Sequence, residues 1–458
     1  MTLPGKDHAP SARGIVIAAP SSGSGKTLLT LGLLRALTNK GLSVSSAKVG
    51  PDYIDPAFHS AATGRPCLNI DPWAMRDSLC NHILAGLCQG AEMVVCEGVM
   101  GLFDGATATE GSTADVAAAT GWPIILIVDA RAQAASAAAV VRGFAELRAD
   151  ITIGGVIFNR IGSERHSTVI GDAMAHYLPA IPVLGYLPRH DALALPSRHL
   201  GLVQAGEHDT LETFLDQVAE LITEHVDMEA LMDGAAPLKT APLKTTSAIC
   251  PAMPVTPMTP IGQRIAVASD KAFAFSYAHV LDGWQRSGAE IQLFSPLADE
   301  APWGDADAIY LPGGYPELHA GQLSSGSSFL PGLRQAADRG VAIYGECGGY
   351  MVLGEGLVDA DGVRHAMAGL LPLETSFSER RLHLGYRHVT VTNPEGVNGG
   401  LGETTGRGHE FHYATIIREG DAAALFHVRD AAGNDIGTAG LSHGSVAGSF
   451  IHLIDRHE

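Results

Sequence analysis

The sequence has few basic residues for its size. Its 458 residues include 30 Lys and Arg against 49 Asp and Glu, which gives a formal net charge of −19 at pH 7. Because binding to a nucleic-acid backbone relies on Lys and Arg, this balance argues against a nucleic-acid partner. An acidic chain can still bind anions at local sites such as a helix N-terminus.

Cysteines and long apolar segments are also scarce. The six cysteines are Cys67, Cys80, Cys88, Cys96, Cys250 and Cys347, and none of them forms a Cys-x-x-Cys pair. Their spacing therefore indicates neither a disulfide framework nor a zinc site. The chain has no 18-residue apolar run, and residues 1–13 lack the apolar core of a signal peptide. We therefore expect no membrane span and a cytoplasmic location.

The chain does contain a regular alternation of short apolar runs with helix-like segments. The first runs lie at 14–19, 42–49, 93–96, 124–129 and 153–158, and a second group lies at 264–268, 290–294, 308–311 and 341–344. Such alternation predicts two α/β blocks, each with a parallel sheet covered by helices. The segment between them, rich in Pro and Thr, is typical of a linker. The predicted divisions are 1–232, 233–262 (the linker) and 263–458.

A Gly-rich phosphate-binding loop follows the first predicted strand. Residues 20–27 read Pro-Ser-Ser-Gly-Ser-Gly-Lys-Thr and open a predicted helix. Glycines let backbone N–H groups approach phosphate oxygens, the lysine reaches the outer phosphates, and the threonine hydroxyl ligates Mg²⁺. The candidate nucleotide-binding residues are Gly23, Ser24, Gly25, Lys26 and Thr27. The loop is a variant, since Pro20 stands where the P-loop pattern has Gly. The alternative is a Gly/Ser turn that happens to precede Lys-Thr.

Two acidic segments follow the ends of predicted strands. The first reads Lys48-Val-Gly-Pro-Asp-Tyr-Ile-Asp-Pro, and the second reads Glu97-Gly-Val-Met-Gly-Leu-Phe-Asp104. Carboxylates at the C-terminal ends of parallel strands can hold Mg²⁺ and position a nucleophile against the γ-phosphate. We expect Thr27, Asp52 and Glu97 to hold the metal, and Asp52 and Asp104 to take part in catalysis. Each carboxylate could instead be an ordinary turn residue.

A cysteine lies on a predicted strand-to-helix turn in the second block. The small neighbours in Gly-Glu-Cys347-Gly-Gly permit a sharp turn that presents a nucleophile at the head of a helix. A helix N-terminus lowers a thiol pKa, and its N–H groups bind an oxyanion. Gly314 and Gly348 are the candidate oxyanion donors, and His452, after a strand-like run, is the candidate base. The alternative for Cys347 is a buried structural thiol.

Several segments carry a family resemblance. In the first block, APSSGSGKT, KVGPDYIDPAFH, LNIDPWAM and CEGVMGLFDG resemble the synthetase half of the cobyrinic acid and hydrogenobyrinic acid a,c-diamide synthases. In the second block, Gly-Glu-Cys-Gly-Gly and Gly-His-Glu-Phe-His-Tyr resemble the class I (triad) glutamine amidotransferase domain of the same group. The resemblance implies an α/β fold: a P-loop, dethiobiotin-synthetase-like parallel-sheet domain joined to a flavodoxin-like amidotransferase domain.

The same resemblance implies a ligase of cobalamin biosynthesis. Glutamine would be hydrolysed at Cys347, ATP with Mg²⁺ would phosphorylate a substrate carboxylate, and ammonia would displace the phosphate. The implied substrate is a corrinoid polycarboxylate, hydrogenobyrinate or cobyrinate, amidated on acetates a and c. The rivals are cobyric acid synthase, a Ni-sirohydrochlorin a,c-diamide synthase, and a nucleotide-switch protein with an inactive glutaminase domain. The oligomeric state is left open, with a homodimer as one alternative.

Further candidate site residues come partly from the resemblance and partly from a basic cluster in this acidic chain. Lys48 is a candidate nucleotide-site residue, and Asn159 a candidate adenine contact by likeness to dethiobiotin synthetase. Tyr53 and a basic cluster are candidate substrate contacts, although the cluster could equally be a solvated charged face. The cluster contains Arg380, Arg381 and Arg387.

One element of the amidotransferase pattern is missing. In most class I amidotransferases the base lies in His-x-Glu, but Leu453 and Ile454 follow His452. Asp455 is a poor substitute by spacing, so the group that orients the base is unknown. His409 and His412 could be metal ligands at i, i+3, but without a His-Glu-x-x-His pattern we favour a structural or substrate-contact role.

Overall fold

The fold is described from a computed structural model. It describes residues 12–189, 197–198, 201–202, 204–207, 210–239, 255–393, 400–402 and 404–457. The chain divides into two compact units. Unit 1 comprises Met1–Trp73, Asp77–Ser197 and Leu202–Val255, and unit 2 comprises Ala74–Arg76, Arg198–Gly201 and Thr256–Glu458. Among the helices that the structure describes, none has the length and apolarity needed to cross a membrane.

Unit 1 is built on a parallel sheet. Its strands are β1 Arg13–Ala18, β2 Val44–Val49, β3 Leu68–Ile70, β4 Met93–Glu97, β5 Ile124–Asp129, β6 Ile153–Ile161 and β7 Val183–Pro188, joined by the two-residue strand β10 Ala236–Pro237. Two further short strands, β8 Ser197–Arg198 and β9 Gly201–Leu202, pair with each other in a separate sheet. The order β3-β2-β4-β1-β5-β6-β7 is parallel throughout. β1, β2, β4 and β5 are almost wholly buried, which explains why they read as continuous apolar or small-residue runs.

Helices connect these strands. They are α1 Lys26–Asn39, α2 Asp55–Thr63, α3 Asp77–Cys88, α4 Thr113–Thr120, α5 Ala137–Glu146, α6 Glu164–Tyr177, α7 Leu211–His225 and α8 Met228–Gly234. The first residues of the segment predicted as a linker, 233–262, have regular secondary structure. Its residues Ala236–Pro237 form β10, which pairs antiparallel with β1. The repeated Ala-Pro-Leu-Lys-Thr motif extends from residue 236 into positions outside the described residues.

Unit 2 combines a parallel and an antiparallel half in one sheet. Its strands are β11 Arg264–Ala268, β12 Glu290–Phe294, β13 Ala308–Leu311, β14 Ala342–Glu346, β15 Gly356–Val358, β16 Arg364–Ala366, β17 Leu373–Ser376, β18 His383–Val391, β19 Thr405–His412, β20 Thr415–Glu419, β21 Ala423–Asp430, β22 Asp435–His443, β23 Val446–Ser449 and β24 Ile451–Arg456. The order is β12-β11-β13-β14-β23-β22-β21-β18-β19-β24, and the first five strands are parallel. Those five have the order 2-1-3-4-5 of flavodoxin-like folds, which confirms the predicted α/β class.

The remaining elements of unit 2 surround this sheet. The helices are α9 Ala278–Arg286, α10 Ala320–Ser325, α11 Phe329–Asp338 and α12 Gly348–Leu353, and β16-β15-β17-β20 forms a second, four-stranded sheet. Buried Phe273, Phe329, Ile343 and Tyr350 belong to one continuous apolar core. Cys347 is part of the same core, so the strand-to-helix turn that carries it is packed on a rigid base.

Candidate functional site

The phosphate-binding loop of unit 1 connects β1 to α1. Gly23 and Gly25 have φ angles of 75° and 96°, a region that side chains avoid and glycine adopts freely. The loop is held from within, since the Ser24 hydroxyl donates to the Ser21 carbonyl at 2.9 Å. Lys26 Nζ donates to the carbonyls of Ser21 and Met100. Burial and the charge of Lys48 lower the pKa of Lys26 to about 8.

Thr27 contacts two carboxylates at the start of α1. Its hydroxyl donates to Glu97 Oε1 at 2.7 Å and lies 3.2 Å from Asp55 Oδ2. Lys48 Nζ donates to the same two groups, at 2.5 Å to Asp55 and 2.8 Å to Glu97. The ends of β2 and β4 therefore bring a hydroxyl, an ammonium and two carboxylates to one place beside the loop.

The charges of this cluster balance one another. Burial alone would raise the pKa of Glu97, but Lys48 and His59 outweigh it and hold that pKa well below its usual range. Although burial opposes its charge, the pKa of Lys48 is raised because Asp55 and Glu97 stabilise the ammonium. Burial and the charge of Asp52 raise the pKa of Asp55 to about 6. Lys48 is thus the internal counter-charge of the two carboxylates.

Asp52 and Asp55 have different contacts, and the predicted metal-binding and catalytic roles of Asp52 stay a prediction. The Oδ1 of Asp52 accepts from the backbone N–H groups of Ile54 and Asp55 at 2.8 and 3.1 Å, so it stabilises the turn that leads into α2. Asp55, not Asp52, reaches the hydroxyl of Thr27, because the chain turns between the two. Asp104 also stabilises a turn, since its Oδ2 accepts from the backbone N–H of Gly101 at 2.9 Å.

Sequence reasoning missed a buried histidine beside Glu97. His59 Nε2 lies 2.7 Å from Glu97 Oε2, and His59 Nδ1 lies 3.5 Å from the sulfur of Cys67. The ring and the carboxylate are fully buried. The sequence did hold one indication that His59 belongs to this site. His59 lies one helical turn after Asp55 and so shares a helix face with it.

Asn159 lies under the phosphate-binding loop at the end region of β6. Its Nδ2 donates to the carbonyl of Ser24 at 2.9 Å, and its Oδ1 accepts from the backbone N–H of Arg160. Arg160 has a positive φ of 61° and donates to the Gly23 carbonyl at 2.9 Å. The pair therefore supports the loop backbone, a contact that the sequence did not predict.

The predicted substrate contacts fall into different environments. Tyr53 is half-buried in the bend between β2 and α2, while Arg380 and Arg381 are exposed before β18. Arg387, on β18, donates to Glu410 Oε2 from Nε at 2.8 Å and Nη2 at 2.7 Å. The three arginines are therefore not equivalent. Arg380 and Arg381 are exposed, whereas the charge of Arg387 is compensated by Glu410 on the neighbouring strand.

Cys347 of unit 2 occupies a strained turn between β14 and α12. Its φ and ψ are 48° and −102°, and its backbone N–H donates to the Ser449 carbonyl on β23 at 2.8 Å. Side chains rarely adopt a positive φ, and such residues cluster at active sites. The pKa of the thiol is raised, not lowered as predicted, because Cys347 is buried and faces the charge of Glu317. The activating effect of a base is therefore needed at this thiol.

His452 and Cys347 flank the same glycine. A methyl group placed on Gly313 would lie 3.0 Å from Nε2 of His452 and 3.2 Å from Cβ of Cys347. His452 lies within β24, which corrects the prediction that it follows a strand. Burial, together with His409 and His412, lowers its pKa to about 3, so the imidazole is neutral near pH 7.

The two predicted oxyanion donors lie beside this pair. A methyl group on Gly348 would lie 3.0 Å from the backbone nitrogen of Gly314, so the two turns approach closely. The backbone N–H of Gly348 also lowers the pKa of the Cys347 thiol, although burial outweighs this effect. Thiol, imidazole and backbone N–H groups are the components that acyl transfer through a thioester requires.

Two family models match the chain. Residues 264–458 match the CobB/CobQ-like glutamine amidotransferase domain, and residues 15–203 match the CobQ/CobB/MinD/ParA nucleotide binding domain. The chain is 54% identical over 445 residues to the hydrogenobyrinate a,c-diamide synthase of Brucella anthropi, covering 97% of this chain and 98% of that one. The chain belongs to the hydrogenobyrinate a,c-diamide synthase family.

Other members of the family also match nearly the whole length of the chain. The hydrogenobyrinate a,c-diamide synthase of Rhizobium meliloti is 54% identical over 445 residues, covering 97% of this chain and all of that one. The protein of the same name from Mesorhizobium japonicum is 48% identical over 452 residues, covering 97% and 99%. The family resemblance seen in the sequence motifs is thereby confirmed over both units.

Within this family member, Gly313 allows a direct test of the amidotransferase site. We expect Gly313→Ala to lower glutamine hydrolysis by about 10²-fold, the scale for a small misplacement of catalytic groups. The added methyl would lie 2.3 Å from Cε1 of His452 and must displace the ring. Steady-state glutaminase assays check this result. Gly304→Ala is the matched control, since a methyl there meets nothing within 4 Å; equal rates in both variants would contradict the site.

A histidine and glutamate cluster lies on the antiparallel half of the unit 2 sheet. The ligand atoms of His383, Glu410 and His412 lie within 4.8 Å of one another. However, His412 Nδ1 faces the Ala414 carbonyl at 3.1 Å and Nε2 faces Glu410 Oε1 at 3.0 Å. Both ring nitrogens of His412 therefore already face protein oxygens. The structural or substrate-contact role predicted for His409 and His412 stays a prediction.

Proposed function

We propose that the chain catalyses the ATP- and glutamine-dependent amidation of acetate carboxylates a and c of hydrogenobyrinate, in cobalamin biosynthesis. The observation that carries this proposal is the 54% identity over 97% of the chain to proteins of that named activity. It is supported by the presence of two sites, one suited to phosphoryl transfer and one to glutamine hydrolysis. The enzyme is accordingly a ligase that forms C–N bonds with glutamine as the nitrogen donor.

The unit 1 site suits a nucleotide with a divalent cation. Thr27, Asp55 and Glu97 offer only oxygen ligands, the kind that Mg²⁺ prefers, and Glu97 is kept charged by Lys48 and His59. These residues would hold Mg²⁺, which when bound neutralises charge on the β- and γ-phosphates. Asp52, in the same segment, remains a candidate for the outer coordination sphere, and Asn159 remains a candidate adenine contact.

The residues of this site would activate a substrate carboxylate. Gly23, Ser24, Gly25 and Lys26 hold the phosphates, with Lys26 moving from its carbonyl partners to the γ-phosphate. A carboxylate oxygen of the macrocycle attacks the γ-phosphorus, the bond to ADP breaks, and an acyl phosphate forms. Activation is needed because a free carboxylate is a poor electrophile and hydroxide a poor leaving group. The negative charge of Asp104 acts on Lys26 and raises its pKa, against the larger effect of burial. Asp104 is proposed to help position the substrate.

The unit 2 site would supply the nitrogen. The thiol proton of Cys347 passes to Nε2 of His452 as sulfur attacks the carboxamide carbon of glutamine. The N–H groups of Gly314 and Gly348 stabilise the oxyanion, and the amide nitrogen leaves as ammonia with the proton returned by His452. Water then hydrolyses the thioester to glutamate. Ammonia attacks the acyl phosphate, phosphate leaves, and the amide is formed.

Exposed basic residues are the remaining candidates for recognising the macrocycle. Arg380 and Arg381 are solvent-exposed and suited to pair with peripheral carboxylates. Arg387 is less suited, because Glu410 already compensates its charge. Tyr53 lies in the segment that carries Asp52 and Asp55, where it could contact a substrate bound at the unit 1 site.

The test is amidation of defined macrocycles. The purified chain is incubated with ATP, Mg²⁺, glutamine and hydrogenobyrinate, and in parallel with cobyrinate, Ni-sirohydrochlorin or an a,c-diamide. We expect a product with two new amides from hydrogenobyrinate, and a lower kcat/KM for the other macrocycles. Mass spectrometry and fragmentation give the number and position of the amides. A preference for the a,c-diamide would instead identify a cobyric acid synthase.

A further inference from the structure

The residue before the nucleophile lies next to the base. Glu346 is the last residue of β14, and its Oε2 lies 3.6 Å from Nδ1 of His452. The other ring nitrogen, Nε2, faces Gly313 and the Cys347 side of the turn. Nδ1 of the imidazole therefore faces a carboxylate, while Nε2 lies beside the glycine that Cys347 also flanks. An acid on one side of the ring and the nucleophile on the other is the arrangement by which an acid orients a catalytic base.

We propose that Glu346 is the positioning residue of the Cys347–His452 pair, supplied by the strand before the nucleophile instead of by a His-x-Glu motif. The proposal rests on the glutaminase role of Cys347 proposed above. Glu346 would fix the tautomer and orientation of His452, so that Nε2 is left to accept the thiol proton. It would also stabilise the imidazolium that forms when that proton arrives.

Glu346 is itself held in place from two directions. The Tyr310 hydroxyl donates to its Oε2 at 2.7 Å from β13, and the backbone N–H of Leu453 donates to its Oε1 at 3.0 Å from β24. Leu453 is the residue directly after His452. The carboxylate is thus fixed to the strand that carries the base, with Oε2 at 3.6 Å from Nδ1.

The positions where the family pattern would have a third member are otherwise engaged. Ile454 is a buried apolar residue whose carbonyl lies 2.8 Å from Nε2 of His279. Asp455 is bound by Arg76, which groups with unit 2, through Nε and Nη2 at 2.9 Å each. Its charge is compensated there, which leaves Glu346 as the carboxylate placed against Nδ1.

The surroundings of Glu346 allow it to ionise. Burial raises its pKa to about 7, while the Leu453 N–H, Tyr310 and Tyr344 act in the opposite direction. A cavity of about 20 Å³ adjoins the carboxylate and is lined in part by both tyrosines, and a space of this size holds one water molecule. Within the described part of the chain, the groups that face Glu346 are Tyr310, Tyr344, His452 and the Leu453 N–H. No cationic side chain is among them, so its ionisation depends on these hydrogen bonds.

The test is Glu346→Gln in the full-length enzyme. We expect kcat for glutamine hydrolysis to fall by about 10²-fold or more, the scale for removing acid–base assistance, with KM for glutamine unchanged. Ammonium-dependent amidation should stay at the wild-type rate, which also shows that the variant is folded. Glu346→Asp should restore part of the lost kcat. The matched control is Glu290→Gln, at an exposed position on β12.

A pH profile separates positioning from a merely structural role. Because burial raises the pKa of Glu346 to about 7, wild-type kcat should rise as pH increases through that value, and Glu346→Gln should lose this limb. Tyr310→Phe removes one hydrogen bond to the carboxylate and should move the limb to higher pH. An unchanged kcat and limb in both variants would overturn the proposal. If Cys347→Ala also left glutaminase activity intact, the proposed function itself would fail.

Discussion

Replacing Cys347 with alanine is expected to lower glutamine-dependent amidation by about 10⁴-fold or more, the scale for removing a nucleophile. Amidation with ammonium salts should continue near the wild-type rate. The reason is that the thiol only releases ammonia, while the carboxylate is activated in unit 1. Parallel assays with glutamine and with ammonium chloride, each with ATP and hydrogenobyrinate, measure both rates.

The control for this substitution is Cys88→Ala. Cys88 ends α3, is only partly buried and belongs to neither candidate site, so both rates should be retained. Loss of both activities in a folded Cys347→Ala protein would reject the division of labour between the units. Full retention of glutamine-dependent activity would return Cys347 to the alternative of a buried structural thiol.

Replacing Lys26 with alanine should lower amidation by about 10³-fold with either nitrogen source, comparable with the loss of other cationic groups in phosphoryl transfer. Activation of the carboxylate precedes capture of ammonia, so added ammonium cannot restore the rate. Basal glutamine hydrolysis should persist, because Cys347 and His452 belong to unit 2. Titration with ATP, followed calorimetrically, should show weaker nucleotide binding.

Lys40→Ala is the matched control, since Lys40 follows α1 and is exposed. It should bind ATP and amidate hydrogenobyrinate as the wild type does. Normal ammonium-dependent amidation by Lys26→Ala would show that the loop does not hold the reacting phosphates. The two substitutions, at Cys347 and Lys26, thus give opposite patterns with ammonium as the nitrogen source.

The sequence predicted most of the fold because its central strands are buried on both faces. Such strands leave continuous apolar runs, as in 124–129 and 153–158, and their alternation with helices determines a parallel sheet. The antiparallel strands of unit 2 were less visible. β18 and β22 are partly exposed along much of their length and so carry no continuous apolar run.

The details of the sites depended on contacts that no local pattern encodes. Asp52 and Asp55 are three residues apart in one motif, and only the turn between them decides which carboxylate reaches Thr27. The approach of Glu346 to His452 requires β14 to pair with β23 and β24 to follow it. Such long-range pairing brings together residues 106 positions apart in sequence, so motif spacing could not predict it.

The strained backbone at Cys347 presents the nucleophile but lowers the folding stability of the protein. A non-glycine residue with a φ of 48° carries strain on the order of 1–3 kcal/mol, which glycine would relieve. A chain selected only for stability would therefore tend to replace this cysteine with glycine, at the cost of the nucleophile. If the gene were duplicated and one copy no longer needed to hydrolyse glutamine, replacing Cys347 with glycine would stabilise that copy. Restoring the cysteine would then cost stability, so the loss of glutaminase activity would be hard to reverse.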